Sequence, residues 1–374
     1  MANTRMVALG ITAGLLAVFV AGTAALGGPQ AAGTAVGTES GERTVEDGGT
    51  GPYKAIAVSN SGIPTHTIYR PKDLSAFGDR EKLPILAWGN GGCSNSNAAH
   101  QNYLSEIASH GYLIVAIGPM QAGGGRGARG AGAGAPAGGP APGATAPGAA
   151  VPTGGTLLDA INWATAQNTN SQSPYYRKLD TSKVAVAGHS CGGLQALEVS
   201  PDPRVKTTLV VDSGILNDPN QAPGGGARGG APRGGGAPGG AAPGGAAPAG
   251  APAGPARGGA GGSALPGMPP LTKELLAKLH APVFYLLGGE TDIAYVNGMD
   301  DFKRIEKIPV FVANKGVGHG GTFSQPHGSD WAMASVAWLD WQFKSNAEAA
   351  KLFTGNPPGL AKKEGWTVDK KNIP

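Results

Sequence analysis

Short apolar runs rich in β-branched residues recur along the chain and alternate with stretches whose apolar residues return at helical spacing. Residues 53–58 and 65–70 predict an opening antiparallel pair, and 83–88 predicts a buried strand. The stretch 97–110 predicts a helix, with Gly111 placed to take the left-handed position after its last turn. A strand is predicted at 112–117 and a helix at 157–166, followed by strands at 184–187, 207–211, 283–287 and 310–313. Residues 330–343 predict a closing amphipathic helix whose Trp331, Trp338 and Trp341 pack on the sheet. Strands alternating with helices imply βαβ units, hence an α/β fold with a mostly parallel central sheet flanked by helices.

Two stretches break this pattern. In 121–155 and 220–267, Ala-Pro-Gly-Gly units recur with almost no large apolar residue, and they hold much of the chain's 65 Gly and 31 Pro. Such segments bury too little surface to offset chain entropy, so both are expected to be disordered Gly/Ala/Pro-rich inserts. Each follows a predicted strand (112–117 and 207–211) at its carboxyl end, the side on which open α/β sheets hold ligands. An open site with mobile fringes is therefore expected, because the inserts lack the apolar residues a folded lid would need.

The N-terminus has the organisation of an export signal. Arg5 supplies a positive charge, 6–20 is almost entirely apolar, and Gly22-Thr23-Ala24-Ala25 offers a cleavage site. A signal peptide over 1–25, a flexible spacer over 26–52, a folded domain over 53–345 and a tail over 346–374 follow from this reading. An uncleaved membrane anchor is the alternative. The expected location is secreted or periplasmic, with no stable membrane span after cleavage, and the expected state is a monomer. A net charge of +4 with only 14% charged residues gives no strongly basic surface. Arg126, Arg129, Arg228, Arg233 and Arg257 lie in the inserts without the interleaved aromatics that stack on bases, so no nucleic-acid partner is expected.

The candidate chemistry begins at Gly188-His189-Ser190-Cys191-Gly192, placed between the apolar run 184–187 and the helix-like Leu194-Gln195-Ala196-Leu197-Glu198. A G-x-S-x-G sequence in a strand–turn–helix setting holds its serine clear of the backbone with a helix N-terminus behind it. The glycines allow a strained turn that side chains would obstruct. A serine hydroxyl needs a base to take its proton, and the base needs an orienting acid. Asp292 follows strand 283–287 in Gly288-Gly289-Glu290-Thr291-Asp292, and His319 follows strand 310–313 in Gly316-Val317-Gly318-His319-Gly320-Gly321. Order and loop position fit them to those roles, with Glu290 the alternative acid and His327 the alternative base.

A tetrahedral intermediate also needs two preorganised N–H donors. The Cys191 N–H, just after the serine, is one; the glycine-rich loop after 83–88 supplies the other through Cys93 or Gly92. Two amides converging on one oxyanion bring their Cα atoms within several ångströms, which is compatible with a disulfide. Cys93 and Cys191 are the only cysteines, and an even pair in an exported chain suggests one. A Cys93–Cys191 bond clamping the two loops is the expectation.

At these residues the chain resembles the α/β-hydrolase superfamily, nearest its dienelactone-hydrolase-like, chlorophyllase-like and bacterial polyester-degrading (cutinase and PET-hydrolase type) esterases. The matching stretches are Ile107-Ala108-Ser109-His110-Gly111-Tyr112-Leu113-Ile114-Val115, Leu179-Asp180-Thr181, Gly188-His189-Ser190-Cys191-Gly192-Gly193, Glu290-Thr291-Asp292-Ile293-Ala294 and Gly318-His319, covering 83–343 apart from the inserts. The resemblance implies an α/β-hydrolase fold and a secreted serine carboxylic-ester hydrolase with Ser190 as nucleophile, Asp292 as acid and His319 as base. It implies an acyl-enzyme, no metal and no cofactor, and a small-molecule or polymeric ester as substrate. Cys93 stands where the polyester enzymes often carry an aromatic oxyanion-loop residue, and Gly214 where they carry a substrate-stacking tryptophan. Missing both clamps, the chain points to an ordinary ester before a polyester, with Trp88 and Tyr295 as the substrate-binding candidates. Acyl transfer or peptide hydrolysis on the same triad, and a non-enzymatic surface scaffold, are the competing readings.

Overall fold

A computed structural model describes residues 1–2, 37–120, 151–217 and 268–374. The expected leader over 1–25 lies outside the described residues apart from its first two, as do insert 220–267 and 121–150 of the other insert. No helix among the described residues is long and apolar enough to cross a membrane.

The described residues build a ten-stranded mixed sheet in the order β1-β2-β3-β5-β4-β6-β7-β8-β9-β10. Its strands are β1 (Glu39–Arg43), β2 (Ala55–Asn60), β3 (His66–Pro71), β4 (Leu83–Gly89), β5 (Leu113–Ile117), β6 (Leu179–His189), β7 (Val205–Val211), β8 (Val283–Leu287), β9 (Val310–Lys315) and β10 (Trp366–Lys371). From β5 through β4, β6, β7 and β8 to β9 every pairing is parallel. The outer pairings β1–β2, β2–β3, β3–β5 and β9–β10 are antiparallel. The helices are α1 (Gln101–Ser109), α2 (Gly154–Thr169), α3 (Cys191–Val199), α4 (Tyr295–Arg304), α5 (Ser329–Lys344) and α6 (Ala347–Ala350).

Alternation along the central strands assigns each side chain to one of two buried layers. Leu86, Trp88, Ile114, Ala116, Ala185 and Ala187 face a core shared with Tyr103, Leu104 and Ile107 of α1 and Trp331, Trp338 and Leu339 of α5. Their neighbours Ile85, Ala87, Leu113, Val115, Val184 and Val186 face Leu157, Ile161 and Trp163 of α2 and Ala196 of α3. Farther along, Val283, Tyr285, Val310 and Val312 pack with Leu194 of α3 and Phe302 of α4. Helices therefore cover both faces, which is what continuous apolar strands require.

This topology positions the site. The chain leaves β4 for β5 on one side by way of α1, then crosses back by way of α2 to place β6 on the other side of β4. The carboxyl ends of β4 and β6 flank this switch point, where open α/β sheets leave a crevice. Backbone contact there is close. A Cβ on Gly192 would lie 2.2 Å from the Gly89 carbonyl, so only glycine lets the two loops meet.

The domain is larger than the sequence suggested. Within the expected spacer, Glu39–Arg43 adds strand β1, and Val45 enters the core. Thr50 also donates its N–H to Glu106 of α1. The segment looked like a linker because an edge strand buries little and its residues are polar. Beyond 345, Phe353, Leu360 and Trp366 are buried and β10 pairs with β9, so the expected tail closes one edge of the sheet. At the end of the first insert, Gly154 and Gly155 belong to the first turn of α2, where Thr153 and Thr156 form a reciprocal capping box.

Candidate active site

Ser190 stands between β6 and α3 with φ 53° and ψ −119°, a left-handed backbone conformation rare for a residue with a side chain. The surrounding structure over-determines this turn. Ser190 N–H donates to the Val211 carbonyl at 2.9 Å, while its own carbonyl accepts from Gly193 N–H at 2.9 Å and from Ser213 Oγ at 2.7 Å. A Cβ on Gly188 would lie 2.2 Å from Gly192, and one on Gly193 2.4 Å from Ser213. The glycines at 188, 192 and 193 are thus the steric condition for the turn.

The loops after β8 and β9 bring two further side chains to the serine. His319 Nε2 lies 2.9 Å from Ser190 Oγ, and His319 Nδ1 lies 2.6 Å from Asp292 Oδ1. Asp292 also accepts the Ala294 N–H on Oδ1 at 2.9 Å and the Gly288 N–H on Oδ2 at 3.1 Å. Burial raises this carboxyl, but the hydrogen bonds from His319 and the two backbone N–H groups prevail and hold it below its usual range. The two loops are joined at Gly288 and Gly318, whose backbones bond at 2.8 Å and leave no room for a side chain at 288. Glu290, the alternative acid, is exposed. His327, the alternative base, faces Glu46 and Glu106 at 3.3 and 3.6 Å instead of the serine.

The loop after β4 forms a 3-10 turn over Gly91–Cys93. Cys93 and Cys191 are joined by a disulfide with their Cα atoms 5.2 Å apart, as expected from the sequence. Cys191 opens α3, so its N–H has no carbonyl partner within that helix. In this turn Ser94 N–H donates to the Gly91 carbonyl at 3.2 Å, while Gly92 and Cys93 take positive φ of 63° and 49°. The Cys191 N–H at the start of α3 and the turn carrying both Cys93 and Gly92 are thus held side by side by the disulfide.

Beneath these groups lies a buried layer that the sequence did not disclose. His189 Nε2 is 2.8 Å from the His319 carbonyl and must donate to it. His189 Nδ1 is then an acceptor, for the His100 Nε2–H at 3.1 Å, and His100 Nδ1 is left as a bare lone pair. Burial keeps both imidazoles neutral: it lowers His189 to about 4, aided by the neighbouring His319, and lowers His100 well below its ordinary range. Asp212, at the carboxyl end of β7 with φ 44°, is fully buried beside Asp292. A single glycine-free pattern could not have announced these contacts, because their partners come from five separate elements.

No protein-family model matches this chain, and no curated protein is significantly similar to it.

The structure corrects one proposed binding residue and changes the setting of others. Trp88 is wholly buried, donates its Nε1–H to Asn90 Oδ1 at 3.0 Å and packs on Tyr103, His100 and Phe323, so it cannot meet a substrate. An alternating strand places residue 88 in the α1/α5 core and not at the strand's open end. Tyr295 is half-buried, packed on the core beneath α4. At Gly214 a Cβ would lie 2.3 Å from the Gly298 N, which closes that position to any side chain. Exposed apolar side chains occur instead on the loops bearing Asp292 and His319 and in the first turn of α4: Ile293 is 50% exposed, Val317 37% and Val296 67%.

Proposed function

We propose that this chain is an exported serine carboxylic-ester hydrolase of the α/β-hydrolase fold. The observation that carries the reading is the hydrogen-bonded chain Asp292–His319–Ser190, with the serine on a positive-φ turn at a helix N-terminus. A mostly parallel sheet with the three residues on the loops after β6, β8 and β9 supports the fold assignment. The disulfide supports an oxidising compartment.

In this mechanism His319 Nε2 takes the Ser190 proton as Oγ bonds to the ester carbonyl carbon. The carbonyl electron pair moves onto oxygen, where the N–H groups of Cys191 and of the Cys93 turn (Cys93 or Gly92) receive it. Collapse expels the alcohol, which takes the proton from His319 and leaves an acyl-Ser190. Water then repeats the sequence, giving its proton to His319 and releasing the acid with Ser190 restored. Asp292 stays ionised and offsets the imidazolium charge, consistent with its lowered pKa.

Ile293 and Val317, next to Asp292 and near His319 in the chain, and Val296 in the first turn of α4 are the exposed apolar side chains on these elements. A polymeric ester is the extended form of the same reading, but Cys93 is tied in the disulfide and Gly214 is closed to a side chain, so the two aromatic clamp positions of polyester enzymes are unfilled, and Trp88 is buried and cannot replace them.

The test is hydrolysis of p-nitrophenyl esters by the purified protein and by Ser190→Ala, with fluorophosphonate labelling followed by peptide mass spectrometry. Label on Ser190 and a loss of at least about 10³-fold in kcat are expected for the variant. Equal rates from both proteins would overturn the reading. Added alcohol or amine acceptors would reveal acyl transfer as a partition of product.

A further inference from the structure

We infer that Asp212 is a positioning residue of the same site: it holds a proton and donates it in a hydrogen bond to Asp292, extending the chain to Ser190–His319–Asp292–Asp212. This rests on the ester-hydrolase reading above.

The argument begins with donors. Asp292 accepts from three groups, namely His319 Nδ1 and the N–H groups of Ala294 and Gly288. Among the described residues Asp212 has fewer donors, Trp331 Nε1–H at 3.2 Å from Oδ2 and a Gly288 N–H shared with Asp292, and its buried Oδ1 has no hydrogen-bond donor. The two carboxyl groups lie within hydrogen-bonding reach of each other, and the Asp212 side chain has no solvent exposure. Two carboxyls in contact away from water do not both ionise; one proton is shared, and it stays with the group that has fewer donors. That group is Asp212. A proton on Asp212 turns the orphan acceptor into a donor and gives Asp292 a fourth hydrogen bond.

The remaining titratable neighbours agree with this placement. His189 Nε2 is 3.9 Å from Asp212 Oδ2, but its proton is directed to the His319 carbonyl and its ring is kept neutral. Tyr103, from α1, gives its hydroxyl proton to Ser335 Oγ at 2.9 Å. Trp331 is the contact from α5 and does not titrate. Burial first, then the Asp292 charge, drives Asp212 well above the usual carboxylate range.

The function that follows is orientation. Asp292 hangs from a loop, and His319 from another; a hydrogen bond from a rigid strand end fixes the carboxylate that fixes the imidazole. Asp212 touches neither substrate nor serine, so it acts through Asp292 alone.

The decisive comparison is Asp212→Asn against Asp212→Ala, each assayed for kcat and KM on a p-nitrophenyl ester from pH 6 to 10 beside wild type and Ser190→Ala. An amide accepts from Trp331 and donates to Asp292 as the protonated acid does, so D212N is expected to keep kcat within about threefold of wild type. D212A is expected to lose about 10- to 100-fold in kcat with KM changed less than about twofold. The wild-type kcat is expected to fall at alkaline pH in a transition that D212N lacks, because the amide cannot ionise. Equal impairment of D212N and D212A, a wild-type kcat in D212A, or matching alkaline profiles for wild type and D212N would overturn the inference. If D212A does not fold, the D212N profile decides alone. An active Ser190→Ala would instead remove the underlying ester-hydrolase reading, which keeps the two failures distinct.

Discussion

His189 occupies the variable position of the Gly-His-Ser-Cys-Gly sequence, yet its contacts give it a defined task. Its Nε2–H fixes the carbonyl of His319, and its Nδ1 is fixed in turn by His100. A residue free to vary in the motif thereby sets where the loop after β9 stands. Replacing it by phenylalanine keeps an aromatic ring on Phe323 but removes donor and acceptor alike, and two buried hydrogen bonds of about 0.5–1.5 kcal/mol each are lost. His189→Phe should therefore lower kcat about tenfold, while His189→Gln, which can donate, should lose less. Steady-state rates on a short ester check this, and an unimpaired Phe variant would show that the tether is dispensable.

Elements meet at the disulfide. Cys93 belongs to the turn after β4 and Cys191 to the first turn of α3, so the bond joins two loops separated by 98 residues. Cross-linking a loop of that length removes a large share of the unfolded chain's freedom. The Cys93→Ser/Cys191→Ser protein should be less stable by about 2–4 kcal/mol in urea unfolding. Unchanged stability would mean that the close backbone packing of Gly89 on Gly192 already holds the loops together. Reading elements from sequence worked where strands are covered on both faces and failed at the edges. β4 to β9 announce themselves as apolar runs, whereas β1 and β10 carry one buried face at most and are largely polar. Trp366 and Val368 did alternate with polar neighbours, a signal too brief to stand out in an apparent tail.

Across the whole molecule, buried ionisable groups shape how stability depends on pH. His66 and His189 are lowered by burial from 6.5 to about 4, and His100 lies well below its ordinary value. Between pH 6.5 and about 4 the unfolded chain binds more protons at these sites than the native one, so stability is lost as pH falls through that window. Asp292 and Glu106, held below their usual values by hydrogen bonds that outweigh burial, lose their contribution in the same direction at lower pH. Asp212 and Asp301, both raised by burial and the latter to about 6, work oppositely: their contribution declines as pH rises above the ordinary carboxylate range. The melting temperature should thus drop steadily on acidification from about pH 6.5 to 4, as followed by circular dichroism. A melting temperature that rises on acidification through this window would contradict neutral burial of the three histidines.

By itself the sequence determined the alternation of strands and helices, the turn at Ser190, the chain order of serine, acid and histidine, and the cysteine pair. These are properties of local pattern: side-chain period, glycine freedom and spacing along the chain. It also left choices that local pattern cannot make. Whether Asp292 or Glu290 faces His319 depends on which carboxylate the loop turns inward, and whether Trp88 meets substrate or core depends on the register of β4 in a two-faced sheet. The neighbours Asp212, His189 and His100 come from β7, β6 and the turn before α1, brought together only by strand order at the switch point. Tertiary structure decided those because a buried charge or ring is defined by what surrounds it, and its surroundings are distant in the chain.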